Sequence, residues 1–508
     1  MEVPDLVRNA ARRSPDRTCV VEGDRALSFA DVDARASRTA SALTRAGLRP
    51  GDRVALLAHN ELEYLEIQAA VQRAGMTLVP LNTRLSVPEL EFLVADSTPR
   101  LLIHGPDLAG AAGALGVERK WYLGGDGVGE PYDEVTAAED ASAGPGMLVA
   151  GAPATIIYTS GTTGRPKGAV ISNGALWARL NVTAVELGVR PGDVFVQVLP
   201  MFHIAAHLCY GFSHHGATTV MVKAFDPASL IRTIEERRAT HVMLVPTIIN
   251  LLGQEPTLEA ADLSALRLIS YGASPIAPDV LRRAIAAFPR CEFMQLFGMT
   301  ETFCASMLRA GDHDPDGHPE WLASAGTDAV SFETRVVDEQ GGDVGPGVVG
   351  EILSRGPCLM DGYWNAPEAT EEALAGGWMH TGDLGYRSED GYLFVTDRLK
   401  DMIVSGGENV YPREVEDVIY GHPQVLEVAV VGIPDERWGE AVHAIVVPKE
   451  PGALGARELI EHCRPRLAGY KIPKSVELVE ELPKNPTGKI LKRLVRERYW
   501  EGAVRRVG

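Results

Sequence analysis

YTSGTTGRPKGAV, residues Tyr158 to Val170, follows directly on the apolar run ATII. Within eleven residues it packs three glycines (Gly161, Gly164, Gly168), five hydroxyls (Tyr158, Thr159, Ser160, Thr162, Thr163) and Lys167. Glycine lets backbone N–H groups approach an anion closely, hydroxyls donate further hydrogen bonds, and a lysine supplies charge, so the stretch describes a phosphate cradle. It is not a P-loop, which needs GxxxxGK[ST]; here the last glycine before the lysine lies three residues upstream. A strand running into such a loop, inside a chain that alternates strands and helices, sets the expectation of a layered α/β fold.

Outward from this loop the alternation is regular. Short β-rich runs (Arg53 to Leu57, Leu101 to His104, Ala154 to Tyr158) exchange with helical stretches such as Phe29 to Ala46 and Glu63 to Ala74. A second series follows at Thr218 to Val222, His241 to Val245, Leu266 to Tyr271 and Glu292 to Phe297, which predicts a second α/β unit. From about Val330 the texture changes to short strands punctuated by glycine and proline (TRVVD, GEILSRG, GYLFVTD), as in a small β-rich unit. Beyond Asp397, EVEDVIYGHPQVLEVAVVGIP, AVHAIVVP and RELIEHCRPRLAGY read as helix, strands and helix, a separate small α+β domain. The charged run Asp397 to Asp401 marks the junction.

Composition excludes several classes. The 508 residues exceed one ordinary domain, and 45% apolar with 23% charged residues is ordinary for a folded globular chain. The formal charge of −19 repels phosphate backbones and argues against nucleic acid as a partner. One local reversal stands out: seven Lys or Arg against Glu497 and Glu501 between Lys489 and Gly508, a basic stretch suited to a solvated helix end, a phosphate-bearing ligand or an anionic surface. Six scattered cysteines without a CxxC pair argue against a disulfide framework or a structural zinc site. No stretch approaches a spanning helix and the first residues carry no apolar signal core, so the expectation is a cytoplasmic protein, with peripheral membrane contact left open.

Five further segments occur in order: YGASP (Tyr271 to Pro275), QLFGMTET (Gln295 to Thr302), HTGD (His380 to Asp383), DRLKDMIVSGGENVYPREVE (Asp397 to Glu416) and PKNPTGKILKR (Pro483 to Arg493). With the opening loop they make the chain resemble, over nearly its whole length, the adenylate-forming superfamily, in its acyl-CoA synthetase branch. The resemblance implies a large N-terminal domain over 1–397, built of two α/β subdomains and a β-rich one. It implies a small mobile α+β C-terminal domain over 398–508 with its hinge near Lys400. It implies an ATP- and Mg²⁺-dependent acid–CoA ligase, of fatty or related acids, acting through an acyl-adenylate.

The same resemblance implies residue roles. Thr159, Ser160, Gly161, Thr162, Thr163, Gly164 and Lys167 would cradle ATP phosphates. Gly272, Ala273, Ser274, Gln295, Phe297 and Gly298 would face the nucleotide, with Phe297 where tyrosine is commoner, so that stacking survives and a phenolic hydrogen bond does not. Thr300 would hold the α-phosphate, Glu301 would bind Mg²⁺, Asp383 would take both ribose hydroxyls, and Arg398 would contact ribose or phosphate from the junction. Lys489 would bridge the pentavalent α-phosphorus and the leaving pyrophosphate in the transition state, where charge builds. Lys400 would be the hinge; Ser405, Gly406, Gly407 and Trp438 would line the CoA path. LPMFHIAAH would form the acyl pocket, with Trp177, His203, Ile204, Ala205, Phe303 and Cys304 on its wall. No aspartate in that lining anchors an α-ammonium and no arginine is placed there for a second carboxylate, so the expected acid is neutral and mostly apolar. Straight-chain, branched and aryl acids stay open, as do a carrier-protein acceptor and a monomeric or homodimeric state.

Overall fold

The computed structural model describes all residues except 138, 141–146, 160–165, 275, 399–400, 406–407, 436, 453, 485–489 and 501–508, and at 398 the backbone alone. Two large sheets dominate. The first has eight strands in the order Gly362–Tyr363, Lys167–Ser172, Pro153–Thr159, Thr77–Pro80, Arg53–Leu57, Leu101–His104, Arg119–Tyr122 and Glu130–Pro131. Its centre is parallel, and Val54 to Leu57 and Leu101 to Ile103 are wholly buried, as a strand covered on both faces requires. At one edge the pattern turns antiparallel, with Thr159 standing opposite Lys167.

The second sheet has nine strands: Thr327–Asp328, Phe303–Leu308, Glu292–Met299, Leu268–Gly272, His241–Leu244, Val194–Gln197, Thr218–Met221, Thr18–Glu22 and Arg25–Ser28. The five from Glu292–Met299 to Thr218–Met221 run parallel, and Phe303–Leu308 folds back antiparallel on the first of them. One large core serves both sheets. Helices lie against them with polar starts: Ser28 and Asp31 form a capping box at the head of Phe29–Arg45, satisfying orphan N–H groups.

A four-stranded antiparallel sheet (Glu333–Val337, Gly350–Arg355, Met379–Arg387, Leu393–Arg398) follows, as its short punctuated strands predict. From Ile403 onward a separate sheet (Glu408–Val410, Ile403–Ser405, Gly439–Pro448, Val425–Asp435, with Ser475–Leu478 beside Gly439–Pro448) and three helices build on cores of their own. The α/β class and the large-plus-small architecture are thus as the sequence indicates. One helix is shorter than its pattern: Ala456–Cys463 ends at Arg464, which still has helical dihedrals, because Pro465 has no N–H with which to extend the ladder. All six cysteines are unpaired.

Candidate active site

The site is built at the tip of the antiparallel pair Glu292–Met299 and Phe303–Leu308, where the turn 300–302 carries Thr300 and Glu301. Gly298 makes the close approach feasible: a Cβ there would sit 1.6 Å from the Phe303 carbonyl oxygen. Phe303 closes the turn at φ +69°, a left-handed conformation that a bulky residue adopts only when its surroundings fix it. Thr302 Oγ1 accepts the Met299 N–H at 3.1 Å, tying the turn internally.

Glu301 is buried. Its carbonyl accepts the Met360 N–H at 2.7 Å, and its Oε1 accepts from Tyr363 Oη at 2.8 Å and from Thr159 Oγ1 at 3.4 Å. Tyr363 belongs to the edge strand of the first sheet, paired with Lys167–Ser172, and the Lys167 amine lies 5.2 Å from the centre of its ring. The rims of the two sheets therefore bring Thr159, Lys167, Tyr363 and Glu301 together, with no bond to Glu301 Oε2 among the described residues. A carboxylate with one oxygen fixed by hydroxyls and the other available is a donor suited to a hard divalent cation.

Beside this turn, Gly272 ends the neighbouring strand, and a Cβ on it would meet the Leu296 carbonyl oxygen at 2.3 Å. Ala273 follows at φ +66° and is exposed, Ser274 is half-buried, and Gln295 is buried opposite Tyr271. Phe297 is half-buried against the core of the four-stranded sheet. Asp383 lies in that sheet, buried, opposite the backbone of Arg398, and its N–H donates to Thr381 Oγ1 at 3.1 Å. Ser160, Gly161, Thr162, Thr163, Gly164, Lys400, Gly406, Gly407 and Lys489 lie outside the described residues, as does the Arg398 side chain.

The segment Leu199 to His207 leads into the helix Ala206–His214. His203 Nε2 is sealed from solvent with no hydrogen-bond partner among the described residues, and burial pulls the ring's pKa down to about 4, so it is neutral at physiological pH. Its ring packs against Phe202, with Ile204 and Ala205 half-buried on the same core. Phe303 and Cys304 are buried, and burial pushes the Cys304 thiol well up. Trp177 stands 38% exposed on the helix Asn173–Glu186. Two residues along, Arg179 is fully buried and bonds Thr300 and His207. Neither Arg179 nor Tyr363 was marked by sequence reasoning, since an arginine in a helix and a tyrosine in DGYWN carry no local signal.

In the C-terminal sheet Ser405 pairs with Gly439, which places it beside Trp438. Trp438 is not a core residue: it is 37% exposed and flanked by the Arg437 guanidinium at 4.6 Å and the Lys474 amine at 5.9 Å from its ring centre. The two cations lie within cation–π range of the ring and leave part of it to solvent. At the junction, the Arg413 N–H donates to Asp397 Oδ2 at 2.9 Å and its Nη1 to the Val395 carbonyl at 2.7 Å.

A large domain of two α/β sheets, with the Thr300–Glu301 turn at the rim, joined to a small C-terminal domain, is the architecture of the adenylating enzymes. The chain belongs to the AMP-binding enzyme family: the model of that family matches residues 7–364, and that of the AMP-binding enzyme C-terminal domain matches 414–489. It is 42% identical over 494 residues to a feruloyl-CoA synthase of Amycolatopsis sp, covering 96% of this chain and 97% of the relative. A fatty acid–[acyl-carrier-protein] ligase, ScoC, of Streptomyces coeruleorubidus is 37% identical over 505 residues, covering 98% and 96%. The solved structure of ATP-bound MatB from Rhodopseudomonas palustris superposes with a TM-score of 0.89 at 31% identity, covering 97% and 98%. The protein is an ATP-dependent acyl-CoA synthetase that uses an acid, ATP and CoA.

Proposed function

We propose that this acid–CoA ligase activates a neutral, mostly apolar carboxylic acid, of the fatty or aryl-substituted class. The observation that carries this reading is the acyl-site wall. Its histidine, His203, is held neutral by burial and by the charge of Arg84, its other groups are Ile204, Ala205, Phe303 and Cys304, and the buried arginine Arg179 directs Nε, Nη1 and Nη2 to protein acceptors. Among the described residues this wall offers an α-ammonium no aspartate, and Arg179 is committed to protein acceptors rather than to a second carboxylate. The names of the relatives, one for an aryl acid and one for a fatty acid, support both members of the class.

Two half-reactions follow. The acid's carboxylate oxygen attacks the α-phosphate of ATP, an acyl–O–P bond forms, and pyrophosphate leaves with the electrons of the broken P–O bond. Thr300 and Lys489 are assigned to the α-phosphate, where added negative charge makes a cation worth most in the transition state. Glu301 fits a resident Mg²⁺, since its Oε2 is available and Oε1 is fixed; when bound, the ion neutralises charge on the phosphate oxygens. Gly272, Ala273, Ser274, Gln295, Phe297 and Gly298 are assigned to the adenine, Asp383 and Arg398 to the ribose, and the loop from Thr159 to Lys167 to the phosphates.

In the second step a CoA thiolate attacks the acyl carbonyl and AMP departs. Lys489 cannot occupy the place the thiolate needs, so the C-terminal domain, 398–508, is assigned a rotation about Lys400 that replaces it with Ser405, Gly406 and Gly407, Trp438 meeting the nucleotide end of CoA. The reaction is placed in the cytoplasm; no helix among the described residues is long and apolar enough to cross a membrane. The test is pyrophosphate and AMP release over straight-chain, branched and aryl acids, each with and without CoA. Turnover that needs both acid and CoA supports the proposal and sorts the class. Pyrophosphate release with acylation of a carrier protein, and none of CoA, would overturn the acceptor; turnover confined to dicarboxylic or amino acids would overturn the substrate class.

A further inference from the structure

Arg179 is the most unusual charged residue of the large domain. It is fully buried, yet among the described residues no carboxylate pairs with it; Glu301 and Asp361 act on it only through space. Burial pulls its pKa down only to about 10, so it remains a cation. Such a charge is costly unless its donors are well used. They are: Nε donates to the Cys358 carbonyl at 2.8 Å, Nη2 to the Thr300 carbonyl at 3.1 Å, and Nη1 to His207 Nδ1 at 3.2 Å. The face of Phe303, the strained residue that closes the 300–302 turn, lies 5.6 Å from the guanidinium.

These three bonds join three different parts of the site. Thr300 sits on the turn that carries Glu301; Cys358 precedes Met360, whose N–H holds the Glu301 carbonyl; His207 lies one helical turn beyond His203 on the acyl-site helix. The planar fork of one side chain thus fixes the distance between the phosphate-and-metal turn and the start of the acyl helix. His207 serves as an acceptor because it is neutral: burial and the neighbouring Arg179 charge both oppose its protonation, so its proton resides on Nε2. A lysine, with one nitrogen, could not span the three acceptors.

We propose that Arg179 is a positioning residue for adenylate formation, holding the Thr300–Glu301 turn in register with the acyl-site helix through the Thr300 carbonyl and His207. The proposal rests on the adenylation role of that turn, and Glu301→Gln separates the two: full adenylation in that variant sinks the underlying reading, whereas its loss leaves Arg179 to be judged alone. A misplacement of about 1 Å between reacting groups lowers rate by roughly 10²-fold while barely touching ground-state binding. In acid-dependent ATP–pyrophosphate exchange, Arg179→Gln and Arg179→Lys are both expected to lower kcat by about 10²-fold, with KM for ATP and acid changed by less than about threefold.

His207→Leu should show the same kcat defect in milder form, and His207→Asn, which keeps an acceptor in that place, should recover most of it. The double variant Arg179→Gln/His207→Leu should lose no more than Arg179→Gln, since both break one link. Full activity in Arg179→Lys would overturn the proposal in favour of charge acting through space. A rise confined to the KM of the acid would overturn it in favour of substrate binding, and a normal kcat in folded Arg179→Gln would overturn it outright. If Arg179→Gln does not fold, the His207 pair decides: equal activity of Leu and Asn overturns the proposal.

Discussion

Replacing Gly298 by alanine puts one methyl group where the structure has no room for it. The new Cβ would lie 1.6 Å from the Phe303 carbonyl oxygen, 2.7 Å from its carbonyl carbon and 3.2 Å from Cys304 Cα, all backbone atoms of the partner strand. An ordinary contact needs roughly 3.4 Å, so the strands must separate by roughly 1.8 Å at this point. No flexible side chain can absorb the movement, and the next pair out, Met299 opposite Phe303, is the last before the 300–302 turn. Overpacking of this kind typically costs about 1–3 kcal/mol of stability. Because Thr300 and Glu301 ride on the displaced tip, the larger effect is on chemistry, a fall of about 10²-fold or more in adenylation. The assay is acid-dependent ATP–pyrophosphate exchange alongside urea unfolding. Gly188→Ala is the control: its φ of +60° makes alanine strained by about 1 kcal/mol, but no atom lies within 4 Å of the new Cβ. It should lose stability and keep kcat. A Gly298→Ala protein with kcat within threefold of wild type would refute the inference that the glycine sets the turn.

Lys489→Ala should depress adenylation by roughly 10²–10³-fold while thioester formation from supplied acyl-adenylate and CoA persists; equal loss in both assays would contradict a lysine used in one half-reaction. Tyr363→Phe removes the 2.8 Å bond to Glu301 Oε1, leaving, among the described residues, the 3.4 Å contact from Thr159, and should weaken kcat/KM by about tenfold while raising the Mg²⁺ concentration needed for half-maximal rate. An unchanged Mg²⁺ titration would separate Tyr363 from the metal. His203 ionises near 6.5 when unfolded but only at about 4 in the folded chain, so between these values the unfolded state holds the extra proton and stability falls as pH falls. This ring should account for roughly 2 kcal/mol of the loss between pH 8 and pH 5. His203→Phe should show that much less pH dependence in urea unfolding, and an identical slope would mean the ring titrates normally.

What the sequence made legible is what local chemistry encodes. The strand Leu101–His104 is legible to the residue because its run is apolar and bounded by Arg100 and Gly105; the helix Phe29–Arg45 because Ser28 and Asp31 write its start. Thr300 and Glu301 are legible because one short segment carries both. Tyr363 and Arg179 are not, because their roles exist only across sheet packing: Tyr363 is 62 positions from Glu301, and Arg179 is 121 positions from Thr300. Trp438 shows a third case. Its place on the CoA path is an expectation from the motif alone, and that it stands 37% exposed between Arg437 and Lys474 comes from the structure.

The same distinction explains how the site is divided between rigid and movable parts. The surroundings of the Glu301 turn belong to the large domain and are set largely by backbone: Gly298 against Phe303, Gly272 against Leu296, and the Met360 N–H on the Glu301 carbonyl, with the hydroxyls of Tyr363 and Thr159 on Oε1. These contacts hold whichever half-reaction is under way, since neither sheet depends on the C-terminal domain for its core. The junction is held differently, by side-chain and backbone bonds of Arg413 to Asp397 and Val395, with an Arg496–Asp401 pair at 3.3 Å on the C-terminal side of it. Such partly buried ion pairs and single hydrogen bonds contribute about a kcal/mol each and are readily exchanged for others. A site needing one lysine for its first step and a thiolate path for its second is served by this division: the phosphate- and acyl-binding groups are anchored in packed sheets, and the domain assigned to carry Lys489 is joined through contacts that break one at a time.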